Sequence, residues 1–125
     1  MFARAYIFNA DISQWDVSQV TLMNQMFQYA YNFNSPIENW DVSQVTDMSH
    51  MFYDARVFNS DLSSWDVSSV TNMHRMFLFA YEFESDLSEW DVSNVSRCFQ
   101  FSQSANSSWL TVQKPTFTAC TPEYQ

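Results

Sequence analysis

The sequence predicts an α/β solenoid of about four coils, with one short strand and one short helix in each 25-residue coil and a cap at the C-terminal end. Three observations predict it. Trp15, Trp40, Trp65 and Trp90 stand 25 residues apart with no insertion or deletion, in step with Asp16, Asp41, Asp66 and Asp91 and with Ala5, Ala30, Ala55, Ala80 and Ala105. Within a unit, a short in–out alternation gives way to spacing of three and four residues. After Ala105 the repeat decays, as a segment covering an apolar end should. The expected organisation is a repeat region over 1–102 and a capping segment over 103–125.

Each element follows in order along the unit. The strand is read at "WDVS", with Trp15 and Val17 inward and Asp16 and Ser18 outward. Thr21, Thr46, Thr71 and Ser96 stand where a helix N-cap belongs. Met23, Met26, Phe27 and Ala30 then follow the i, i+3, i+4, i+7 pattern of a helix face. Asn34 and Asn59 are expected to take turn conformations, and Phe8, Phe33, Phe58 and Phe83 to lead into the next strand.

In the tail, Cys98 takes the column of Met23, Met48 and Met73, and Cys120 the column of Val20, Val45, Val70 and Val95. Both columns face inward on adjacent coils, which predicts a Cys98–Cys120 bridge worth about 3 kcal/mol in chain entropy. Two unpaired cysteines in the core are the alternative. A bridge implies a setting outside the cytosol.

Composition narrows the function. The formal net charge is −9, from 14 acidic residues against 5 Lys and Arg, which argues against nucleic acid and anionic lipid as partners. Glycine is absent, so phosphate-cradling loops, dinucleotide fingerprints and nucleophile elbows are excluded. No apolar run reaches the roughly 20 residues a membrane-crossing helix needs, and no signal-peptide pattern opens the chain. Met1 falls in a repeat methionine column, so the chain is expected to be cut from something longer.

The phrase "FNSDLSSWDVSSVTNMHRMF" resembles the BspA-like leucine-rich repeat of bacterial, mycoplasmal, trichomonad and algal surface proteins. The resemblance runs from about Met1 to Ser102 and rests on "WDVS", "VT" and "MF" at fixed offsets. It implies a leucine-rich-repeat-like horseshoe, display at the cell surface, and adhesion or protein binding without catalysis. Two features depart from the family pattern: the missing glycine, and the tail "NSSWLTVQKPTFTACTPEYQ".

Stacked coils would set Asp16, Asp41, Asp66 and Asp91 in single file, with neighbouring charges repelling by about 1 kcal/mol even in bulk water. The favoured explanation is structural, with each carboxylate accepting hydrogen bonds from turn amides or from Ser18, Ser43, Ser68 and Ser93. A weaker candidate role is calcium coordination or attraction of a cationic partner. The positions flanking them vary between coils, and variation beside a constant scaffold is where recognition is expected. The candidate binding face is therefore Gln14, Asp16, Asn39, Asp41, Gln44, Ser64, Asp66, Glu89 and Asp91. Tyr6, Tyr31 and Tyr81 form a column interrupted by Arg56, read as the half-buried edge of a helix layer. His50 and His74 occupy different columns and are read as exposed helix residues, with no metal site assigned. "NVS" at Asn94 and "NSS" at Asn106 match the N-glycosylation acceptor.

The expected function is a non-catalytic extracellular or cell-surface module, with no cofactor, that binds a protein or glycan through a polar, acidic face. The alternative is a structural subunit of an extracellular filament or envelope layer, built from copies packed end to end or laterally.

Overall fold

The computed structural model describes residues 2–123 and overturns the α/β expectation. Among these residues there is no α-helix and no β-strand, so neither the α/β solenoid nor its leucine-rich-repeat-like form holds. The one regular element is a 3-10 turn at Thr111–Gln113. Leu22, Asp47, Asn72 and Arg97 add isolated parallel bridges, one coil to the next. What repeats is a coil made of turns.

The segment expected to be helical shows why. The N–H groups of Met26, Gln28 and Ala30 close turns onto the carbonyls of Met23, Gln25 and Phe27, at 3.3, 3.2 and 3.0 Å. The alternate N–H groups, of Met23, Gln25, Phe27 and Tyr29, donate instead to Asp47, Ser49, Met51 and Tyr53, at 2.8–2.9 Å. A helix would have kept all of these bonds inside the segment. Gln25 and Tyr29 have φ of 61°, and the same two columns repeat positive φ at His50, Asp54, Arg75 and Phe79. Each such residue interrupts the right-handed path at roughly 1–2 kcal/mol for a side chain with Cβ. Burial and cross-coil bonding offset that cost, because an isolated helix this short is itself marginal. Consecutive turns also return a side chain inward every three or four residues, so Met23, Met26, Phe27 and Ala30 are all buried, as on a helix face.

The same holds at "WDVS". Trp40 and Val42 are buried and Asp41 is exposed, but Trp40 and Val45 close turns onto Ile37 and Val42, at 3.1 and 3.0 Å, in place of a strand ladder. The threonines are not N-caps. Thr46 and Thr71 donate from both N–H and Oγ1 to the carbonyl 25 residues earlier. Nor is left-handed backbone assigned to Asn34 or Asn59. Their side chains tie coils together, with Asn34 Oδ1 accepting from Asn59 N–H at 2.8 Å and Asn59 Oδ1 from Glu84 N–H at 3.1 Å.

The core consists of two files of phenylalanine. Phe2, Phe27, Phe52 and Phe77 stack at 5.7, 5.7 and 5.4 Å between centroids. Phe8, Phe33, Phe58 and Phe83 stack at 5.8, 5.6 and 5.8 Å. Within each coil the two files meet at 4.0–4.3 Å. Such ring pairs contribute about 0.5–1.5 kcal/mol each beyond their burial. Trp40, Trp65 and Trp90 are buried, and each indole N–H donates to a carbonyl of the preceding coil: Ile12, Ile37 and Leu62 at 3.1, 3.1 and 2.9 Å. Trp15 departs from this pattern and is 44% exposed.

At the far end Trp109 lies edge-on to Phe77 and Phe83, at 5.3 and 4.9 Å, and donates to Ser85 O at 2.8 Å. Cys98 and Cys120 form a disulfide, with S–S 2.07 Å and Cα–Cα 6.0 Å. Leu87 N–H reaches Gln113 O and Gln100 N–H reaches Pro122 O, which lays the tail against the last coil. Among the described residues no helix is long and apolar enough to cross a membrane.

Candidate binding surfaces

Each coil has two limbs with different chemistry. The first runs from Asn9, Asn34, Asn59 or Glu84 to the valine before the threonine or serine, over 9–20, 34–45, 59–70 and 84–95. Here an Asp-x-Ser triplet makes an Asx turn. Ser18 N–H and Oγ both donate to Asp16 Oδ1, at 3.0 and 2.6 Å, and the pairs Asp41–Ser43, Asp66–Ser68 and Asp91–Ser93 repeat the geometry. A second row uses Asp11, Asp61 and Asp86 with the N–H of Ser13, Ser63 and Ser88.

These hydrogen bonds hold the carboxyls below the usual aspartate range. For Asp66 the Ser68 hydroxyl is the largest cause and the Ser68 amide the next, while repulsion from Asp41 and Asp91 comes last and acts the other way. Serine donors thus outweigh the crowding of like charge. The aspartates serve the turn, and among the described residues no group of three or more potential metal-binding side chains comes together.

Gln14, Asn39, Gln44, Ser64 and Glu89 are exposed beside Asp16, Asp41, Asp66 and Asp91. Asn94 Nδ2 donates to Ser68 O at 2.8 Å, while Asn106 is half-buried and its Oδ1 accepts from Ser108 N–H. The limb carries every acidic residue of the chain except Asp47, Asp54, Glu82 and Glu123, and it has no lysine or arginine.

The second limb, the run of turns, gathers the four arginines and the exposed rings of Tyr6, Tyr81 and Phe99. Tyr6 and Tyr31 stack at 4.9 Å, and the Arg56 guanidinium sits 3.9 Å from the Tyr31 ring centroid while pairing with Asp54 at 2.9 Å. Tyr31 is the half-buried edge expected of its column, whereas Tyr6 and Tyr81 are exposed. A chain of ring contacts runs Phe99–His74–His50–Tyr53–Tyr29, with centroids 5.2–5.7 Å apart.

The two histidines, read as unrelated, are neighbours. His50 N–H donates to His74 O at 2.9 Å and the rings lie 5.3 Å apart. Sequence columns taken at 25 hide this, because past the threonines the cross-coil backbone bonds, such as Gln25 N–H to Ser49 O and His50 N–H to His74 O, join residues 24 apart. Burial is the largest cause holding both imidazoles below the ordinary histidine value. For His50 the positive charge of His74 when it is protonated and that of Arg75 add to it, and for His74 Arg75 and Arg97 do. Ser49, His50, Asn72, His74 and Arg97 line a shallow recess.

A family model described as "Mycoplasma protein of unknown function, DUF285" matches residues 1–113. No curated protein and no solved structure matches the chain.

Proposed function

The chain belongs to that DUF285 family, and from its surface we propose that it is a non-catalytic recognition module working outside the cell or on its surface, its acidic limb docking on a basic protein. One observation carries this. In the acidic limb the residues that repeat are consumed by the stack, as core or as turn, and the varying residues Gln14, Asn39, Gln44, Ser64 and Glu89 project outward beside aspartates whose carboxyls serine donors hold below the usual range. A rigid surface with fixed charge and variable flanks suits recognition. Repetition also gives every coil the same carboxylate environment, whereas general acid and base need different ones. The disulfide and the resemblance to BspA-like surface proteins support an exterior setting. The test is binding of the tagged chain to intact cells against a variant carrying Asn39→Ala, Gln44→Ala and Glu89→Ala. At least tenfold weaker binding by a variant of unchanged circular dichroism is expected. Equal binding, or turnover of any substrate in a hydrolase panel, refutes the proposal.

End-to-end packing of copies has its own support in the first coil, where Trp15 is 44% exposed although Trp40, Trp65 and Trp90 of its column are buried. That reading requires the sedimentation coefficient to rise with concentration and Trp15→Arg to abolish the rise.

A further inference from the structure

The acidic limb leaves the other limb as the place where an anion can approach, and one point on it is lined by hydrogen-bond donors. Arg97 is exposed, and its guanidinium makes no hydrogen bond or ion pair among the described residues. Asn72 Oδ1 accepts from His74 N–H at 3.0 Å, which leaves its amide NH2 to offer. Ser49 supplies a hydroxyl, and His50 and His74 supply ring N–H groups. His74 lies parallel to Phe99, with 5.7 Å between centroids and 19° between planes, and Phe99 is 40% exposed. The chain thus brings an unpaired guanidinium and neutral donors together in one recess, and the His74 ring of that recess stacks on Phe99 beside it.

We propose that the recess of Ser49, His50, Asn72, His74 and Arg97 holds the sulfate or carboxylate group of an acidic saccharide, with the adjoining sugar ring on the His74–Phe99 stack. The assignment rests on the reading of the chain as a recognition module, but uses a different face. Three arguments fix the class. A dication would meet Arg75 and Arg97, and no carboxylate joins the two imidazoles in a metal-binding group of three. A peptide docking as an added strand needs free backbone N–H and C=O groups, and in this limb His50, Phe52, Arg75 and Phe77 donate theirs to the next coil. Recognition is left to side chains, and a guanidinium suits oxyanions.

The groups facing His50 are Asp47, Tyr53, His74 and Arg75, and those facing His74 are His50, Phe99, Arg75 and Arg97. Burial keeps both imidazoles largely uncharged near neutrality, so a bound anion gains as they take protons. Affinity therefore rises as the pH falls through their lowered values.

The experiment is calorimetric titration of the whole chain with a sulfated hexasaccharide, an unsulfated uronate hexasaccharide, a neutral hexasaccharide, an oligoglutamate peptide and Zn2+. Expected are saturable binding of at least one acidic sugar, at least tenfold weaker binding of the neutral sugar and the peptide, and no saturable uptake of Zn2+. Arg97→Gln weakens the sugar at least tenfold, Arg4→Gln on the same limb changes it less than twofold, and Asp47→Asn tightens it severalfold. The pH effect is about tenfold and disappears in the double variant His50→Gln, His74→Gln. Absence of acidic-sugar binding, a peptide that binds as well, indifference to Arg97→Gln, or Zn2+ that binds and competes with the sugar each overturns the proposal. Sugar binding is read without cells, so its failure leaves the cell-binding assay standing, and the reverse.

Discussion

Replacing Trp65 by Phe tests whether the indoles hold the coils together. Trp65 is 4% exposed, its N–H donates to Ile37 O at 3.1 Å, and its ring sits against Phe52 at 6.4 Å. Phenylalanine keeps an aromatic ring but removes the donor. Ile37 O keeps its bond from Trp40 N–H, so the loss is one net hydrogen bond, about 0.5–1.5 kcal/mol, and the smaller ring leaves a gap that adds about 1 kcal/mol. The total is about 1.5–2.5 kcal/mol. With a urea slope of roughly 1.5 kcal/mol per M, the midpoint should fall by about 1–2 M. Trp15 is the internal control. It occupies the same sequence column but is 44% exposed, and its indole N–H has no acceptor among the described residues. Trp15→Phe should therefore shift the midpoint by less than about 0.5 M on the same slope. Urea titrations followed by far-ultraviolet circular dichroism measure both. Equal shifts, or a Trp65→Phe shift within error of zero, would refute the role given to the cross-coil indole bonds.

Acid should destabilise the fold in two stages. His50 and His74 are held below their unfolded value, so the stability they contribute is present above about pH 6.5 and is lost as pH falls through their folded values. The Asx aspartates are also lowered, so their contribution is full above about pH 4 and fades below it. Melting temperature against pH should show both stages, with Ser18→Ala, Ser43→Ala, Ser68→Ala and Ser93→Ala together flattening the lower one; an unchanged lower stage contradicts the hydrogen-bond account. Paired Cys98→Ser and Cys120→Ser should cost about 3 kcal/mol for a loop of this length, seen as a lower urea midpoint, and a cost near zero would show that other contacts pin the tail. Gln25 has φ of 61° and an exposed side chain. Gln25→Asn should stabilise by a few tenths of a kcal/mol, since asparagine tolerates left-handed backbone better, and destabilisation would argue against that φ. A chelator should leave the melting temperature unchanged, because the aspartate oxygens already accept serine donors.

The sequence by itself determined the period and, Trp15 apart, the inward residues of the repeat, and it offered the Cys98–Cys120 pairing of the tail to the last coil. These follow from which side chains must leave water, and that is written in residue type: Phe27, Trp40, Val42 and Met48 are buried as their columns require. It also held the separation of charge between limbs, which needs only the position of each Asp, Glu and Arg within its unit.

Tertiary structure decided where the backbone hydrogen bonds go. A helix and a string of turns bury the same side chains at spacings of three and four, so burial cannot tell them apart. The choice rests on whether the N–H of Phe27 finds its partner within the coil or at Met51. That choice set the offset of 24 between neighbouring turn runs and placed His50 beside His74 and Arg97 on one recess. Counting at 25 keeps those residues apart, because register between coils belongs to the stacked backbone and no single coil contains it.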